Sequence, residues 1–366
     1  MTILIKETDR LLLIAPHPDD ESLAMGGLIQ HALQAGAAVR VVFATSGDNN
    51  PWPQRWIEKR WSIGHEETRR WGSIRRQEAR LALKKLGVKT EARFLNIPDQ
   101  GVTRLLLHAD SKTVELLCHE LEDWKPTLLV LPSAYDVHAD HNALFVLFQI
   151  ALDRIGRRDL PQFQFLVHSR QPDLVPRRVN LELADHEIHV KRQAILCHRS
   201  QMALSRKRFL AYARPTEAFF RPGPELPLEN GHRIRDAFLG SGALNLTVKL
   251  PKSHWNKCSL LLVAESLEKG SLRWRISLPA NSSKVRIHDV VTGNPLRHAT
   301  VRIKGQFAVV KIPVSAFLPF SHLFAKFKRP TLFLDDSGWR EVPLPKSASG
   351  IRPLPSSLGW NQFSVA

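Results

Sequence analysis

The stretch Ala15-Pro16-His17-Pro18-Asp19-Asp20-Glu21 follows directly after the apolar run 11–14. A short apolar run predicts a buried strand, and the residues behind the stretch predict a helix that begins near Ser22. One imidazole and three carboxylates are thus expected at the carboxyl end of a central strand, where open α/β sheets bind their ligands. Several carboxylates in one crevice are costly unless a cation neutralises them. A His and an Asp three positions apart, with a spare carboxylate between them, suit a hydrolytic zinc centre, which takes N and O ligands and needs a nearby base.

A second polar cluster supplies a candidate for the remaining ligand. Leu128-Leu129-Val130-Leu131-Pro132 is again the pattern of a buried strand, and His138-Ala139-Asp140-His141 follows it a few residues later. Polar clusters that follow two parallel strands can converge on one crevice. The two motifs together therefore predict one shared metal site.

At these residues the chain resembles a known family. His17-Pro18-Asp19-Asp20-Glu21 is similar to the signature of the LmbE-like, or PIG-L, family of zinc-dependent de-N-acetylases, and His138-Ala139-Asp140-His141 is similar to its second, His-x-Asp-His motif. The similarity covers about residues 8–205. It implies a Rossmann-like body and an enzyme that removes acetyl from N-acetylglucosamine-type sugars.

A catalytic hypothesis follows for both motifs. Zn²⁺ is expected to be held by two imidazoles and one carboxylate, those of His17, Asp20 and His141, with water in the fourth position. Asp19 is the expected general base, and a protonated His138 is expected to stabilise the oxyanion that develops on the acetamide carbonyl. Asp140 is expected to orient His138 or His141 from outside the ligand set. Glu21 would do likewise or cap the start of the helix.

Two further segments are similar to substrate-binding parts of the family. Arg75-Arg76-Gln77-Glu78-Ala79 resembles its Arg-x-x-Glu-Ala segment, which implies that Arg75 binds substrate. Asn96-Ile97-Pro98-Asp99-Gln100-Gly101 resembles its Leu-x-x-Pro-Asp-Gly loop, although Gln100 interrupts the usual Asp-Gly pair. Asp99 is expected to accept a substrate hydroxyl there; the alternative is a turn residue.

Two histidines outside these motifs receive lesser roles. The segment 191–201 resembles a third family segment, a helix that ends in His-x-Ser/Thr-Gln. His198 is therefore expected to help shape the substrate pocket without binding zinc. His168 is expected to end a strand without taking part in the chemistry.

Apolar runs and helical periodicity alternate through residue 168. Strands are predicted over 11–14, 39–44, 92–95, 128–132 and 163–168, and helices over 22–34, 73–86, 112–124 and 142–154. Ser73 is the predicted N-cap of the second helix. This alternation predicts a doubly wound, mostly parallel α/β sheet.

The stretch 49–71 is rich in tryptophan and basic residues. Trp52, Trp56, Trp61 and Trp71 lie among Arg55, Lys59, Arg60, Arg69 and Arg70. Indole faces stack on sugar rings and guanidinium groups bind anions, so this stretch could form a sugar platform. The alternative is a partly helical lid whose tryptophans pack on the body, and the sequence supports both.

The pattern changes near residues 222–231, where Pro222-Gly223-Pro224 and Asn230-Gly231 indicate a linker. Beyond it, apolar and polar residues alternate as in strands, for example from Leu244 to Leu250, which predicts a smaller β-rich, sandwich-like domain. The predicted division is a deacetylase domain over 1–222, a linker over 223–240, the β-rich accessory domain over 241–345 and a tail over 346–366. The accessory domain has no catalytic constellation, and it would bind glycan or a partner, or cap the first domain.

The composition restricts the partners. Of 366 residues, 52 are Lys or Arg and 35 are Asp or Glu, so the net charge of +17 favours anionic partners. No nucleic-acid-binding motif is found, and phosphorylated glycans, nucleotide sugars or an anionic membrane surface fit equally well. No apolar run reaches the ~20 residues of a membrane span, no signal peptide is recognised, and the three cysteines are far apart, which suits a reducing compartment. We expect a cytoplasmic protein, or one peripheral at the inner membrane face.

The expected function is zinc-dependent de-N-acetylation of an N-acetylglucosamine-type sugar in an anionic or lipid-linked cell-surface glycan, similar to a lipopolysaccharide core. Deacetylation of a small neutral glycoside in antibiotic or thiol biosynthesis is the alternative within the family. A noncatalytic glycan- or nucleic-acid-binding protein would explain the charge, but it leaves Asp19 without a purpose. A metallophosphoesterase would need further metal ligands, which the sequence lacks.

Overall fold

The computed structural model of the chain describes residues 3–168, 178–221 and 231–344, apart from short gaps at 253–256, 267, 269, 280, 282, 316–317 and 331–333. The predicted tail over 346–366 and the residues 222–230 of the predicted linker region lie outside the described residues. Two sheets organise the part that is described.

The first sheet has seven strands. They are β1 (Arg10–Ala15), β2 (Ala38–Phe43), β3 (Arg93–Phe94), β4 (Leu128–Pro132), β5 (Gln162–Phe165), β6 (Arg178–Glu182) and β7 (Thr216–Phe220). Their order is β3-β2-β1-β4-β5-β7-β6. The first five strands are parallel to one another, whereas β7 runs antiparallel to both of its neighbours. The predicted mostly parallel α/β sheet is confirmed.

The described residues form eight helices. They are α1 (Asp20–Gln34), α2 (Pro51–Glu58), α3 (His65–Lys85), α4 (Val102–Leu107), α5 (Ser111–Trp124), α6 (Ala139–Arg154), α7 (Asp185–Ile195) and α8 (Arg199–Leu210). Leu11 and Leu13 of β1 share a core with α1, α3 and α7, whereas Leu12 and Ile14 share a core with α5 and α6. Burial on both faces explains why β1 is a continuous apolar run. Within the described residues, no helix is long and apolar enough to cross a membrane.

Some predicted boundaries were wrong. The helix predicted to start at Ser73 begins at His65, and the hydroxyl of Ser73 donates to the carbonyl of Arg69 inside that helix. Its first two turns are almost entirely polar, so hydrophobic periodicity does not reveal them. The strand predicted over 163–168 ends at Phe165, which leaves His168 in the following loop.

The second sheet has nine strands, all antiparallel to their neighbours. They are β8 (Ile234–Gly240), β9 (Ala243–Lys249), β10 (Ser259–Ser266), β11 (Gly270–Ser277), β12 (Ser283–Asp289), β13 (Pro295–Lys304), β14 (Phe307–Pro313), β15 (Phe320–Lys328) and β16 (Arg340–Glu341). Their order is β16-β15-β10-β11-β12-β13-β14-β9-β8. The guanidinium of Arg340 in β16 donates to the carbonyl of Ile234 in β8 at 2.6 Å, so the two edge strands meet.

The predicted β-rich second unit is confirmed, although its strands form one barrel-like sheet where a sandwich would have two. Its first strand, β8, lies inside the range that was predicted to be linker. Leu261 and Val263 of β10, with Phe324 and Trp339, join the core that contains α6. The second sheet therefore packs directly against the helix that carries the His138-Ala139-Asp140-His141 motif.

Candidate metal centre

The two motifs meet at the carboxyl ends of β1 and β4, which are adjacent parallel strands. The neighbours of β1 are β2 on one side and β4 on the other, so the order of the chain reverses here. Such a switch point leaves a crevice at the carboxyl edge of an open sheet. His17 and Asp20 come from the segment after β1, and His141 comes from the first turn of α6.

Three donor atoms of the predicted ligands lie close together. Nδ1 of His17 is 3.2 Å from Nε2 of His141 and 3.4 Å from Oδ2 of Asp20, and the last two atoms are 3.2 Å apart. Zinc binds N and O ligands at about 2.0–2.1 Å, and a tetrahedral arrangement with such bonds separates the ligand atoms by about 3.3 Å. The three atoms therefore fit one face of a tetrahedral zinc site.

The charges around these atoms also fit a cation. Burial lowers the pKa of His141, but the carboxylates of Asp20 and Asp136 raise it to about 9. Burial likewise opposes protonation of His17, yet neighbouring carboxylates, led by Asp140, raise its pKa well above the usual range. Both imidazoles thus sit where positive charge is stabilised. A divalent metal could supply that charge in place of their protons.

Asp136 fixes one ligand and was missed in the sequence. Its Oδ2 lies 3.1 Å from Nδ1 of His141 and accepts from the N–H groups of Val167 and His168, both at 3.1 Å. Its Oδ1 accepts from the N–H of His138 at 2.8 Å. The carboxylate thus leaves Nε2 of His141 as the nitrogen that can bind a metal. A polar residue just past the apolar strand β4 was the available signal.

Asp140 does not take the role that was predicted for its carboxylate. Its oxygens accept from the N–H groups of Gln100 at 2.6 Å and Val102 at 3.2 Å, and Oδ2 is 3.5 Å from Nε2 of His17. The carboxylate therefore neighbours His17, because the first turn of α6 points it at the 100–102 loop, and only the backbone N–H of Asp140 contacts His138. Oδ1 of Asp99 is 3.2 Å from the same nitrogen, which leaves Nδ1 of His17 to face the other donors.

Asp19 is held in an unusual backbone conformation beside the ligands. Its φ of 142° lies in the left-handed region that non-glycine residues avoid, which indicates strain of the kind found at functional sites. Its N–H donates to Glu21 at 2.9 Å, and its Oδ2 accepts from Arg75 at 3.0 Å. Burial raises the pKa of Asp19 to about 6, although Arg75 opposes this. A carboxylate with such a pKa can accept and return a proton near neutral pH.

Arg75 lines the cavity, but its guanidinium is engaged by the protein. It donates to Asp19, to the carbonyl of Pro18 at 2.6 Å and to the carbonyl of Gly47. A Cβ at Gly47, whose φ is +61°, would overlap this guanidinium. Arg75 thus holds the first motif in place, and its contact with a substrate stays a prediction.

His198 is fully buried and lies behind the first motif. Its Nε2 is 2.7 Å from Oε1 of Glu21, and the other oxygen of Glu21 accepts from the N–H of Asp19. His198 is not among the residues that line the cavity. This placement argues against direct contact with substrate and favours an indirect effect on the pocket through Glu21.

His138 lies beside the ligands, in contact with three other imidazoles. Its ring centroid is 4.7 Å from that of His17, 5.0 Å from that of His141 and 5.3 Å from that of His168. Burial and these rings lower the pKa of His138 well below its usual range. Its Nδ1 accepts from the N–H of Asp140 at 3.3 Å, so the neutral ring carries its proton on Nε2. The predicted protonated His138 is therefore corrected to a neutral imidazole.

His168 belongs to this cluster, contrary to prediction. It lines the cavity, and burial lowers its pKa to about 4. Three overlapping donor groups that could hold a metal are His17 with His138 and His141, Asp20 with His141 and His168, and His17 with Asp99 and Asp140. His168 was missed because the fold, rather than a motif, brings it to the site.

His17, Asp20, Asp99, His138 and His168 of this cluster line a cavity of about 330 Å³. The other lining residues come from the start of α2, from α8 and the turn after it, and from the connection between β15 and β16, among them Asn50, Pro53, Gln201, Arg208, Phe209, Tyr212 and Leu334. The volume is within the range of small-molecule sites. Arg208 is exposed, so the rim carries positive charge.

Residues 12–152 match the model of the protein family described as PIG-L: GlcNAc-PI de-N-acetylase. The chain is 42% identical to a 1D-myo-inositol 2-acetamido-2-deoxy-alpha-D-glucopyranoside deacetylase of Mycobacterium avium (strain 104), over 22% of this chain and 26% of that protein. It is 30% identical to the deacetylase of the same name from Mycobacterium sp. (strain KMS), over 44% of this chain and 55% of that protein. The chain thus spans from a quarter to about half of the length of these curated relatives.

Among solved structures, an N,N'-diacetylchitobiose deacetylase from Pyrococcus horikoshii is 23% identical. The match covers 57% of this chain and 82% of that chain, with a TM-score of 0.44. A conserved protein from Thermus thermophilus is 22% identical, over 60% of this chain and 97% of that chain, with a TM-score of 0.46.

Proposed function

We propose that this chain, whose residues 12–152 form a PIG-L domain, is a zinc-dependent hydrolase that removes acetyl from an N-acetylglucosamine-type sugar. The observation that carries the proposal is the spacing of 3.2–3.4 Å among the donor atoms of His17, Asp20 and His141, next to Asp19 in the cavity. Zinc held by these three residues would activate a water molecule and polarise the acetamide carbonyl.

In this proposal Asp19 is the general base. Its carboxylate accepts a proton from the attacking water and later returns it to the leaving amine. A new C–O bond forms, the amide C–N bond breaks, and acetate and a free amino sugar are released. The strained backbone of Asp19 and its ion pair with Arg75 at 3.0 Å keep the carboxylate in one orientation for both transfers.

His138 is the proposed oxyanion donor. As a neutral imidazole with its proton on Nε2, it donates a hydrogen bond to the oxygen on which negative charge develops. Its Nδ1 is fixed by the N–H of Asp140, so the tautomer is set by the backbone. Asp140 acts as a positioning group for His17 and for the 100–102 loop.

Substrate contacts are proposed for Arg75 and Asp99. Both side chains line the cavity, and Asp99 is oriented by the N–H of Asn49, which donates to its Oδ2 at 2.7 Å. His198 would act through Glu21, which holds the N–H of Asp19. These roles agree with a sugar that enters over Asp99 and presents its acetamide to Asp19.

The acceptor is proposed to be an anionic or lipid-linked glycan, similar to a lipopolysaccharide core. Arg208 at the rim follows Arg206 and Lys207, which are also exposed, and the net charge of +17 favours anionic substrates. A small neutral glycoside is the second candidate. It is favoured by the curated relatives, which are named as deacetylases of an inositol glycoside.

Contact with an anionic membrane surface is part of the same proposal. Trp52, Trp56 and Trp61 are 63%, 68% and 87% exposed, and Ile57 beside them is 45% exposed. Indole rings favour the interface of a bilayer, and nearby Lys and Arg side chains favour anionic lipids. No disulfide joins Cys118, Cys197 and Cys258, which all lie among the described residues, and this supports a reducing compartment and hence the inner, cytoplasmic face. We further propose that 1–222 is the catalytic domain and that the accessory domain starts with β8.

Acetate release, measured with metal content, tests the proposal. The panel contains N-acetylglucosamine glycans, a small N-acetylglucosaminyl inositol and a phosphorylated core oligosaccharide. Wild type should bind zinc and release acetate, and Asp19→Asn should keep zinc while its rate falls by about 10²–10⁴-fold. Asp110→Asn is the matched control, because that carboxylate caps α5 away from the cavity.

Three outcomes distinguish the alternatives. Absence of bound metal from wild type would overturn the metal centre. Bound zinc without acetate from any glycan would overturn the substrate class. If wild type releases no acetate and Asp20→Ala still binds glycan, the result would favour a noncatalytic binding protein.

A further inference from the structure

The second sheet reaches the loop that carries His138. Leu334, in the connection between β15 and β16, forms an antiparallel bridge with His138 and lines the cavity. Two backbone hydrogen bonds flank this bridge, from the N–H of Asp335 to the carbonyl of Val137 at 2.7 Å and from the N–H of Trp339 to the carbonyl of Ala134 at 2.8 Å. Part of the wall beside the candidate catalytic residues thus comes from the accessory domain.

Asn142 joins this contact to the second motif. It follows His141 directly, and its side chain is fully buried. Its Nδ2 donates to the carbonyls of Asp136 and His138, both at 2.9 Å. These carbonyls belong to the residues that orient His141 and supply the candidate oxyanion donor. The amide of Asn142 therefore ties the ends of the 136–138 segment together.

The accessory domain fixes the orientation of that amide. Nζ of Lys326 in β15 donates to Oδ1 of Asn142 at 2.8 Å, and Nδ2 of Asn142 is 3.2 Å from Oδ2 of Asp335. Lys326 and Asp335 also form an ion pair with each other. A donor on one side and an acceptor on the other allow only one of the two amide orientations, the one in which Nδ2 faces the carbonyls.

Stability alone does not explain this pair. Lys326 is fully buried, and its amine lies 5.4 Å from the centre of the Trp339 ring. A buried ion pair is often no more stabilising than hydrophobic residues of similar volume. What the pair adds is direction, since only charged or polar groups can select the orientation of the Asn142 amide.

We infer that Lys326 and Asp335 are positioning residues for the active site, which act through Asn142 on the backbone of His138. The accessory domain is then a structural part of the catalytic centre rather than a separate binding module. The effect on turnover rests on the proposed deacetylase function. The effect on the geometry of the 136–142 segment does not.

Two lysines of β15 provide a matched comparison. Lys326→Met removes the donor to Asn142. In this variant Asp335 still has Lys328 as an ion-pair partner, because Nζ of Lys328 lies 2.9 Å from Oδ1 of Asp335. Lys328→Met makes the same change in charge two positions away and leaves the bond from Lys326 to Asn142 intact. In Lys326→Met we expect kcat to fall by about 10–100-fold with unchanged KM and zinc content. In Lys328→Met we expect kcat to stay within about twofold of wild type.

Amide hydrogen exchange supplies a readout that does not need activity. The N–H groups over 136–142 should exchange at least about tenfold faster in Lys326→Met than in Lys328→Met or wild type. If wild type releases no acetate, the proposed function fails, and this comparison still decides the positioning role. Equal exchange in both variants, or equal loss of kcat in both, would overturn it.

A second variant covers the case in which Lys326→Met does not fold. Asn142→Asp keeps the volume and the acceptor for Lys326 but lacks the two N–H donors to Asp136 and His138. It should fold, bind zinc and lose kcat by about 10–100-fold. Wild-type kcat in this variant would overturn the inference.

Discussion

Oδ2 of Asp136 lies 3.1 Å from Nδ1 of His141, so the other nitrogen of this imidazole is the one that meets the remaining donor atoms. The same carboxylate accepts from two backbone N–H groups of the loop after β5, at 3.1 Å each. Burial raises the pKa of Asp136, but the imidazoles of His141 and His168 and the hydrogen bond from the N–H of His138 bring it below its usual value. Asp136 is thus a fixed anion that holds the tautomer of a candidate ligand.

Asp136→Asn should therefore weaken zinc binding. The amide keeps the shape of the side chain but removes the negative charge that makes His141 a stronger ligand. We expect the zinc dissociation constant to rise by about 10–100-fold, measured by competition with a chromogenic chelator. Asp153→Asn, at the other end of α6 where Asp153 pairs with Arg158, is the control and should bind zinc like wild type. Unchanged affinity in Asp136→Asn would contradict the assignment.

The sequence predicted what local pattern determines. Apolar runs of four or five residues become buried strands in any doubly wound sheet, and the polar residues after β1 and β4 must then meet at one edge. This pattern was enough to predict that His17, Asp20 and His141 meet. In the structure their donor atoms lie within 3.4 Å of one another. Neither the number of strands in the second sheet nor its closure by Arg340 is contained in such patterns.

The residues that support the ligands could not be assigned in the same way. Asp136 and Asp140 are both acids within two positions of His138, and only the path of the loop after β4 decides which one reaches His141. His168 enters the site because β5 ends early, at Phe165. Lys326 is far from the motifs in sequence, and a lysine in a strand normally lies at the surface. Such contacts depend on tertiary packing, which one sequence does not show.

A substitution at Gly338 should destabilise the contact between the second unit and the loop after β4. A Cβ at this position would overlap the carbonyl oxygen of Ala134, a backbone atom of the loop that carries His138. Gly338→Ala must shift this backbone, and we expect it to lower the free energy of unfolding by about 1–3 kcal/mol in urea denaturation. Gly240→Ala in β8 is the control, because its Cβ would meet only ring carbons of Phe238 at 3.4 and 3.6 Å. Similar stability of the two variants would rule out a close contact at Gly338.

His232 should make the protein sensitive to acid. Burial lowers the pKa of His232 to about 4 in the folded state, against 6.5 for an ordinary histidine. Between these values the unfolded chain binds a proton that the folded chain refuses, so stability falls as the pH drops through this window. This difference in pKa, from 6.5 to about 4, corresponds to a contribution of about 3 kcal/mol to the free energy of unfolding. The contribution is fully present above pH 6.5 and is lost as the pH falls to about 4.

This prediction is tested by the difference between two slopes. Nδ1 of His232 accepts from the N–H of Ile234 at 3.1 Å, and Nε2 is 3.0 Å from the carbonyl oxygen of Gly338, so a neutral ring satisfies both contacts. His232→Gln keeps one donor and one acceptor but does not titrate. The free energy of unfolding, measured from pH 4 to 7, should fall less steeply with acid in the variant. Parallel curves would show that His232 is not the group responsible.

The exposed tryptophans should bind anionic membranes. Trp52 and Trp56 are one turn apart on α2, and Trp61 follows that helix, so the three exposed rings are close in sequence. Asn50 and Pro53 of the same region line the cavity. Insertion of these rings would hold the cavity near a lipid-linked substrate. Wild type should therefore sediment with vesicles that contain phosphatidylglycerol and not with phosphatidylcholine vesicles, and added salt should weaken the binding.

Replacement of all three tryptophans by alanine should reduce vesicle binding at least about tenfold, because each ring buries a large apolar surface at the interface. Leu81→Ala is the matched control, since Leu81 is 56% exposed on α3 outside this group. Acetate release from a small soluble substrate should be the same in all three proteins. A triple variant that keeps vesicle binding but loses affinity for a soluble oligosaccharide would instead make these tryptophans a sugar platform, because indole rings also stack on sugars.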